Sequence, residues 1–134
     1  MSAPISLVNI IPIYAALLGL FFILITLRAG LYRVKTNILI GDGGDPEMVR
    51  RMRGQANFVE TVPLILMLLV LMELNYATET WLHSLGALLL VARVLHYIGL
   101  TEIGPMVCRV AGMFGTIATC LVASSWLLYK LCLA

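Results

Sequence analysis

The sequence predicts an all-α integral membrane protein: one domain over residues 1–134 with four transmembrane helices. Three observations carry this. Hydrophobic residues make up 61% of the chain and charged ones 12%, against roughly 45–50% and about 25% in soluble domains, too little polar surface to cover a water-soluble bundle. The apolar residues fall into four runs, each near the ~20 residues that a helix needs to cross ~30 Å of hydrocarbon. The basic residues collect beside the first and third connections.

Ile5 to Leu27 is free of charge, so the first helix is expected over about 5–29. The second is expected over 46–74. Its apolar part begins at Gly54, but Asp45 suits an N-cap, Pro46 the first helical position and Glu47 the positive end of the dipole. That start makes helix two protrude from the membrane. The third helix is expected over 80–100. The fourth, over 106–131, contains the uncharged run Val110 to Tyr129, and Trp81, Trp126 and Tyr129 read as interfacial anchors.

Arg28, Arg33, Lys35, Arg50, Arg51 and Arg53 flank the first connection and Arg109 the third, whereas the second offers Glu73 and Glu79. The positive-inside rule then puts both termini on the non-cytoplasmic side. With no basic stretch before the first apolar run, that run is expected to stay as a helix and not be cleaved as a signal peptide. The ends carry no retention or lipidation motif. A net charge of +2 gives no reason to expect a nucleic-acid partner.

Other features read as structural. Cys108, Cys120 and Cys132 lack metal-ligand spacing and read as small apolar residues, Cys108 beside Arg109 being the one to watch. His83 and His96 are scattered, so no metal site is expected. Gly41-Asp42-Gly43-Gly44-Asp45-Pro46 lacks the strand and lysine of a phosphate loop and the ligand spacing of a calcium loop; it reads as a hinge ending in a helix cap. Gly86 and the Gly112–Gly115 pair permit close helix contacts that bear on assembly.

The functional signal is a polar cluster at membrane depth. Arg53, Asn57 and Glu60 are spaced i, i+4, i+7 on one helical face, Arg93 and His96 are three apart, and Arg109 opens helix four at a similar level. A charge there costs at least ~2.5–3.5 kcal/mol to insert, so retaining several together points to function. Three arginines against Glu60 leave a surplus of +2, whereas a structural ion-pair network would be nearer neutral. An anionic ligand is the simplest compensator. The competing reading has Arg53 and Arg109 reaching lipid phosphates, with only an Arg93–Glu60 pair buried.

These residues resemble a family. Arg53-Gly-Gln-Ala-Asn57-Phe-Val-Glu60-Thr-Val-Pro63 is similar to the second-helix signature of the MAPEG proteins, the membrane-associated proteins in eicosanoid and glutathione metabolism. Arg93-Val-Leu-His96 resembles their third-helix motif, and Arg109 falls where members carry an arginine at the start of helix four. The resemblance spans essentially the whole chain and is strongest to compact bacterial members.

It implies a homotrimer that binds glutathione as co-substrate at subunit interfaces on the cytoplasmic side, in the inner membrane if bacterial. Arg53, Asn57, Glu60 and His96 would contact glutathione, Arg93 would brace the glutamate, and Arg109 would stabilise the thiolate. Arg33 or Arg28 would supply an arginine from helix one. The ligand suits the charge: glutathione is −2 as thiolate, and Glu60 is the carboxylate at depth for its ammonium. Lowering a thiol pKa from ~8.5 to ~6.5 takes about 2.7 kcal/mol. One guanidinium about 4 Å away offers up to ~4 kcal/mol at an effective dielectric of 20.

Departures narrow the options. Ala56 stands where many members have arginine, Leu100 and Met113 where catalytic relatives have aromatic hydroxyls, and Val110 where some have serine. Arg109 is left as the main activating group, with Tyr97 a possible substitute hydroxyl. The expected function is a membrane glutathione transferase or peroxidase acting in detoxification on lipophilic electrophiles or hydroperoxides that arrive through the bilayer. The alternative is a non-catalytic lipid-binding or scaffold member. A small four-helix drug exporter is disfavoured, since the first helix lacks a carboxylate.

Overall fold

The computed structural model describes residues 7–133, and its regular structure is helical: α1 (Ile11–Thr36), α2 (Pro46–Leu74), α3 (Glu79–Leu100) and α4 (Met106–Cys132). All four are long and apolar enough to cross a membrane. They run up and down, with α2 and α3 central. Among the described residues α1 packs on α2 and α3 but does not touch α4, and α3 packs most extensively on α4.

α1 starts at Ile11, not at residue 5, and continues to Thr36 beyond the expected 29; residues 5 and 6 lie outside the described residues. The late start has a cause on another helix. The Glu73 carboxylate at the end of α2 accepts from the backbone N–H groups of Asn9 (2.7 Å), Ile10 (2.6 Å) and Ile11 (2.9 Å), satisfying donors that a helix start leaves open. At the other end Arg33 and Lys35 lie in the last turn, where cations suit the dipole. Asn37 then closes the helix in the left-handed region (φ 60°). At about 39 Å, α1 outlasts the hydrocarbon by more than a turn.

Asp45 caps α2, its Oδ1 accepting from the N–H groups of Glu47 (2.8 Å) and Met48 (3.0 Å). Its Oδ2 accepts from the Tyr32 hydroxyl at 2.9 Å, which ties the cap to α1. Arg51 adds a second tie, donating to Arg28 O at 2.7 Å while lying 4.4 Å from the Tyr32 ring centroid. The α1–α2 hairpin is thus pinned at both ends.

The glycines expected to bear on assembly make contacts inside the chain. A Cβ on Gly112 would come within 2.4 Å of Ala92 O and His96 N, and one on Gly115 within 2.9 Å of the Ala92 Cβ. α3 and α4 therefore touch backbone to backbone. Gly86 makes room for the Tyr14 ring of α1.

Leu18, Ile25, Phe58, Val62, Leu69, Met72, Leu82 and Leu89 form the core. Large apolar side chains such as Leu20, Leu24, Leu31, Met67, Phe114 and Leu121 face outward. Apolar surface this extensive marks a membrane-embedded face, and the chain is an integral membrane protein.

Two outcomes are expected. Gly112→Ala overpacks the α3–α4 contact and costs on the order of 1–3 kcal/mol, measurable by denaturant unfolding of the detergent-solubilised protein. Asp45→Asn lowers the melting temperature at neutral pH. Hydrogen bonds from the Met48 N–H and the Tyr32 hydroxyl hold the Asp45 carboxyl below its ordinary range, so its contribution is present above the unfolded-state value and lost as pH falls through the lower folded-state one. The gap between wild type and variant should therefore close on acidification, read by circular dichroism.

Candidate functional site

The polar cluster assembles on one side of the α2–α3–α4 seam. Arg53, Asn57, Thr61, Arg93, His96, Leu100, Arg109, Met113, Thr116 and Ile117 line a chamber of about 330 Å³. Five of the seven expected residues are there: Arg53, Asn57, Arg93, His96 and Arg109.

Arg93 organises it. It is 2% exposed, and its Nη2 donates to Asn57 Oδ1 on α2 at 2.7 Å and lies 3.2 Å from His96 Nδ1. Its Nη1 donates to Thr116 Oγ1 on α4 at 3.2 Å. The guanidinium can only donate, so His96 Nδ1 accepts; the imidazole is then neutral with its hydrogen on Nε2, available to a ligand. Thr116 in turn donates to Gly112 O at 2.8 Å. Arg93 Nε is buried without a partner.

Among the described residues no carboxylate pairs with Arg93, Arg53 or Arg109. The competing arrangement with a buried Arg93–Glu60 pair is not the one observed within the chain, and Arg93 braces Asn57 instead of the glutamate. Glu60 is exposed and does not line the chamber. The helical wheel explains the split. With Asn57 fixed against Arg93, the residues that follow it inward are i+4, hence Thr61, while i+3 turns to the flank. Thr61 and Thr116 were missed by sequence reading. Their signal is the spacing, eight residues after Arg53 and seven after Arg109.

The helix-one arginines divide. Arg33 donates to the carbonyls of Ile38 (3.3 Å) and Gly41 (2.8 Å) and so braces the α1–α2 loop, away from the chamber. Arg28 is half-buried on the far side of α3, its guanidinium carbon 5.6 Å from the Tyr97 ring centroid. Tyr97 is no substitute hydroxyl for the chamber. Its ring fills the space left by Gly54 and meets Phe21 edge-on, and its buried hydroxyl has no hydrogen-bond partner.

The described histidines, cysteines and carboxylates form no cluster able to hold a metal ion. The chamber's chemistry is instead that of unquenched guanidinium groups, neutral acceptors and an apolar wall at Leu100, Met113 and Ile117. Guanidinium groups without a carboxylate partner are suited to an anion.

A four-helix membrane protein with this arginine-lined chamber falls in a defined class, and comparison with known proteins gives it a name. The chain belongs to the MAPEG family, whose model matches residues 11–129. It is 35% identical over 88 residues to inner membrane protein YecN of Escherichia coli strain K12, a match covering 65% of this chain. The YecN of Escherichia coli O6:H1 matches to the same degree. The match spans 66% of the length of these relatives.

The two kinds of arginine should respond differently to truncation. Arg93→Ala leaves Asn57, Thr116 and His96 without their shared donor, at about 1–3 kcal/mol per unsatisfied buried group, and should lower the melting temperature sharply. Arg53→Ala and Arg109→Ala remove exposed, unpartnered cations and should leave it nearly unchanged.

Proposed function

We propose that the protein is a membrane glutathione transferase or peroxidase. The observation that carries this reading is the pair Arg53 and Arg109, unpaired with any acidic group among the described residues, beside a chamber on whose other wall the apolar Met113 and Ile117 are exposed. Two free guanidinium groups match the two negative charges of a glutathione thiolate. Asn57 and the Nε2–H of His96 supply neutral hydrogen bonds, and Arg109 stabilises the sulfur anion. The thiolate then attacks a lipophilic electrophile and expels its leaving group. With a hydroperoxide, two glutathione thiols yield the disulfide, an alcohol and water.

The reading includes a homotrimer. Glu60, Leu64, Met67, Leu71 and Leu74 recur at intervals of four and three along α2, and Leu64, Met67, Leu71 and Leu74 are each more than 40% exposed. A stripe with this period suits a second helix packed alongside. It would bring Glu60 to a subunit boundary, where it can meet the glutathione ammonium. Arg28, whose guanidinium has no hydrogen bond among the described residues, is then the better candidate than Arg33 for the helix-one arginine of a neighbour's site. An inner-membrane location with the chamber toward the cytoplasm is supported by the arginine-rich loops and the inner-membrane relatives.

A non-catalytic lipid-binding or scaffold role is favoured by one observation: Leu100 and Met113 give the chamber apolar surface where catalytic relatives present hydroxyls. Titration of the solubilised protein with glutathione, following thiolate absorbance against pH, separates the two. A bound thiol that ionises about two pH units below the free one supports the transferase. Binding without a shift, or no binding, supports the scaffold. Arg109→Ala should abolish the thiolate signal while helicity and assembly persist.

A further inference from the structure

A second chamber of about 450 Å³ adjoins the first and shares Arg53, Leu100 and Arg109 with it. It lies at the loop end of α3 and α4, where Val49, Arg50, Glu102, Gly104 and Met106 contribute to its lining. The two chambers open to different surroundings. The inner one has Met113 and Ile117, 45% and 53% exposed, on its membrane-facing side. The outer one is bordered by the α3–α4 turn and by the first turns of α2, which carry the charged residues Glu47, Arg50, Arg51 and Arg53.

Glu102 is the carboxylate among the residues lining either chamber. Its side chain is 69% exposed and lies 3.5 Å from Arg50, which Glu47 holds from the other side at 3.1 Å. The Arg50–Glu102 pair thus bridges α2 and the turn across the lip. Glu102 occupies the left-handed region at φ 58°, where a glycine is usual after a helix end. The turn is closed around it by the N–H groups of Ile103 and Gly104, both donating to Ile98 O. A charged side chain in a backbone position that disfavours it is a reason to look for a task.

We propose that the outer chamber is the water-side access route for the anionic thiol, and that Glu102 with Arg50 sets how strongly that route selects for negative charge. The inference rests on the glutathione reading above. Arg53 and Arg109 form the common wall, so an anion drawn into the outer chamber is handed to the groups that hold it in the inner one. The apolar partner reaches the same sulfur from the Met113–Ile117 side. Glu102 offsets Arg50 at the lip and keeps capture of anions below what the arginines alone would give.

The test is the association rate of glutathione with the solubilised protein, followed by stopped-flow thiolate absorbance. Removing one charge of an exposed pair several ångströms from the path is expected to change the rate about threefold at low salt. Glu102→Gln should raise it and Arg50→Gln lower it, and the double variant should return near wild type. The differences should vanish at ~1 M salt, where the screening length is about 3 Å. Capture of the uncharged thiol 2-mercaptoethanol should be the same in all four proteins. Equal glutathione rates and salt dependence in wild type and Glu102→Gln overturn the inference while leaving the glutathione reading intact. So do parallel changes for charged and uncharged thiols. Failure of the unmodified protein to bind glutathione overturns both.

Discussion

A buried guanidinium held by neutral acceptors underlies the rest of this structure. Arg93 reaches Asn57 on α2 and Thr116 on α4 from its own place on α3, so three helices converge on one cation. Had its partner been a carboxylate, the charge of Arg93 itself would have been cancelled. Amide, hydroxyl and imidazole accept from its two Nη groups without cancelling the charge, and the neighbouring Arg53 and Arg109 are likewise left unquenched. The penalty for charge at this depth is met partly by geometry, with the remainder available to a bound anion.

Much of this was legible in the sequence. Four spans follow from apolar run length, and the polar cluster from arginines, an asparagine and a histidine that have no business in lipid unless they meet. What sequence could not supply was rotation about the helix axes. Arg53, Asn57 and Glu60 share a broad face, but fixing Asn57 against Arg93 turns Thr61 inward and Glu60 to the flank. Arg33 and Arg28 lie about 1.4 turns apart on one helix and cannot be told apart by spacing; the loop carbonyls of Ile38 and Gly41 capture the former. The start of α1 was equally hidden, because the group that caps it, Glu73, lies sixty-two residues away from Ile11.

Small residues decide where the site sits. Gly112 lets α4 press on Ala92 and His96, and Gly99 lets the backbone of Arg109 come against α3, a Cβ there falling 2.3 Å from Arg109 N. The place of Arg109 along the seam is therefore set by backbone contact, with no reliance on flexible side-chain packing. Gly54 plays the corresponding part on the far face of α3, admitting Tyr97 and turning its hydroxyl away from the chamber.

The stitching of α1 to α2 has a mechanical consequence. One end of that pair is fastened by Glu73 on the opening amides of α1, the other by Tyr32 with Asp45 and Arg51 with Arg28. α3 and α4 are interlocked along their glycines. The helices thus form two tied pairs, and Arg93 with Asn57 joins them across the line that the chamber follows. Any widening of the chamber along that line has to stretch the Arg93–Asn57 bond, so the contact that assembles the site also limits how far it can open.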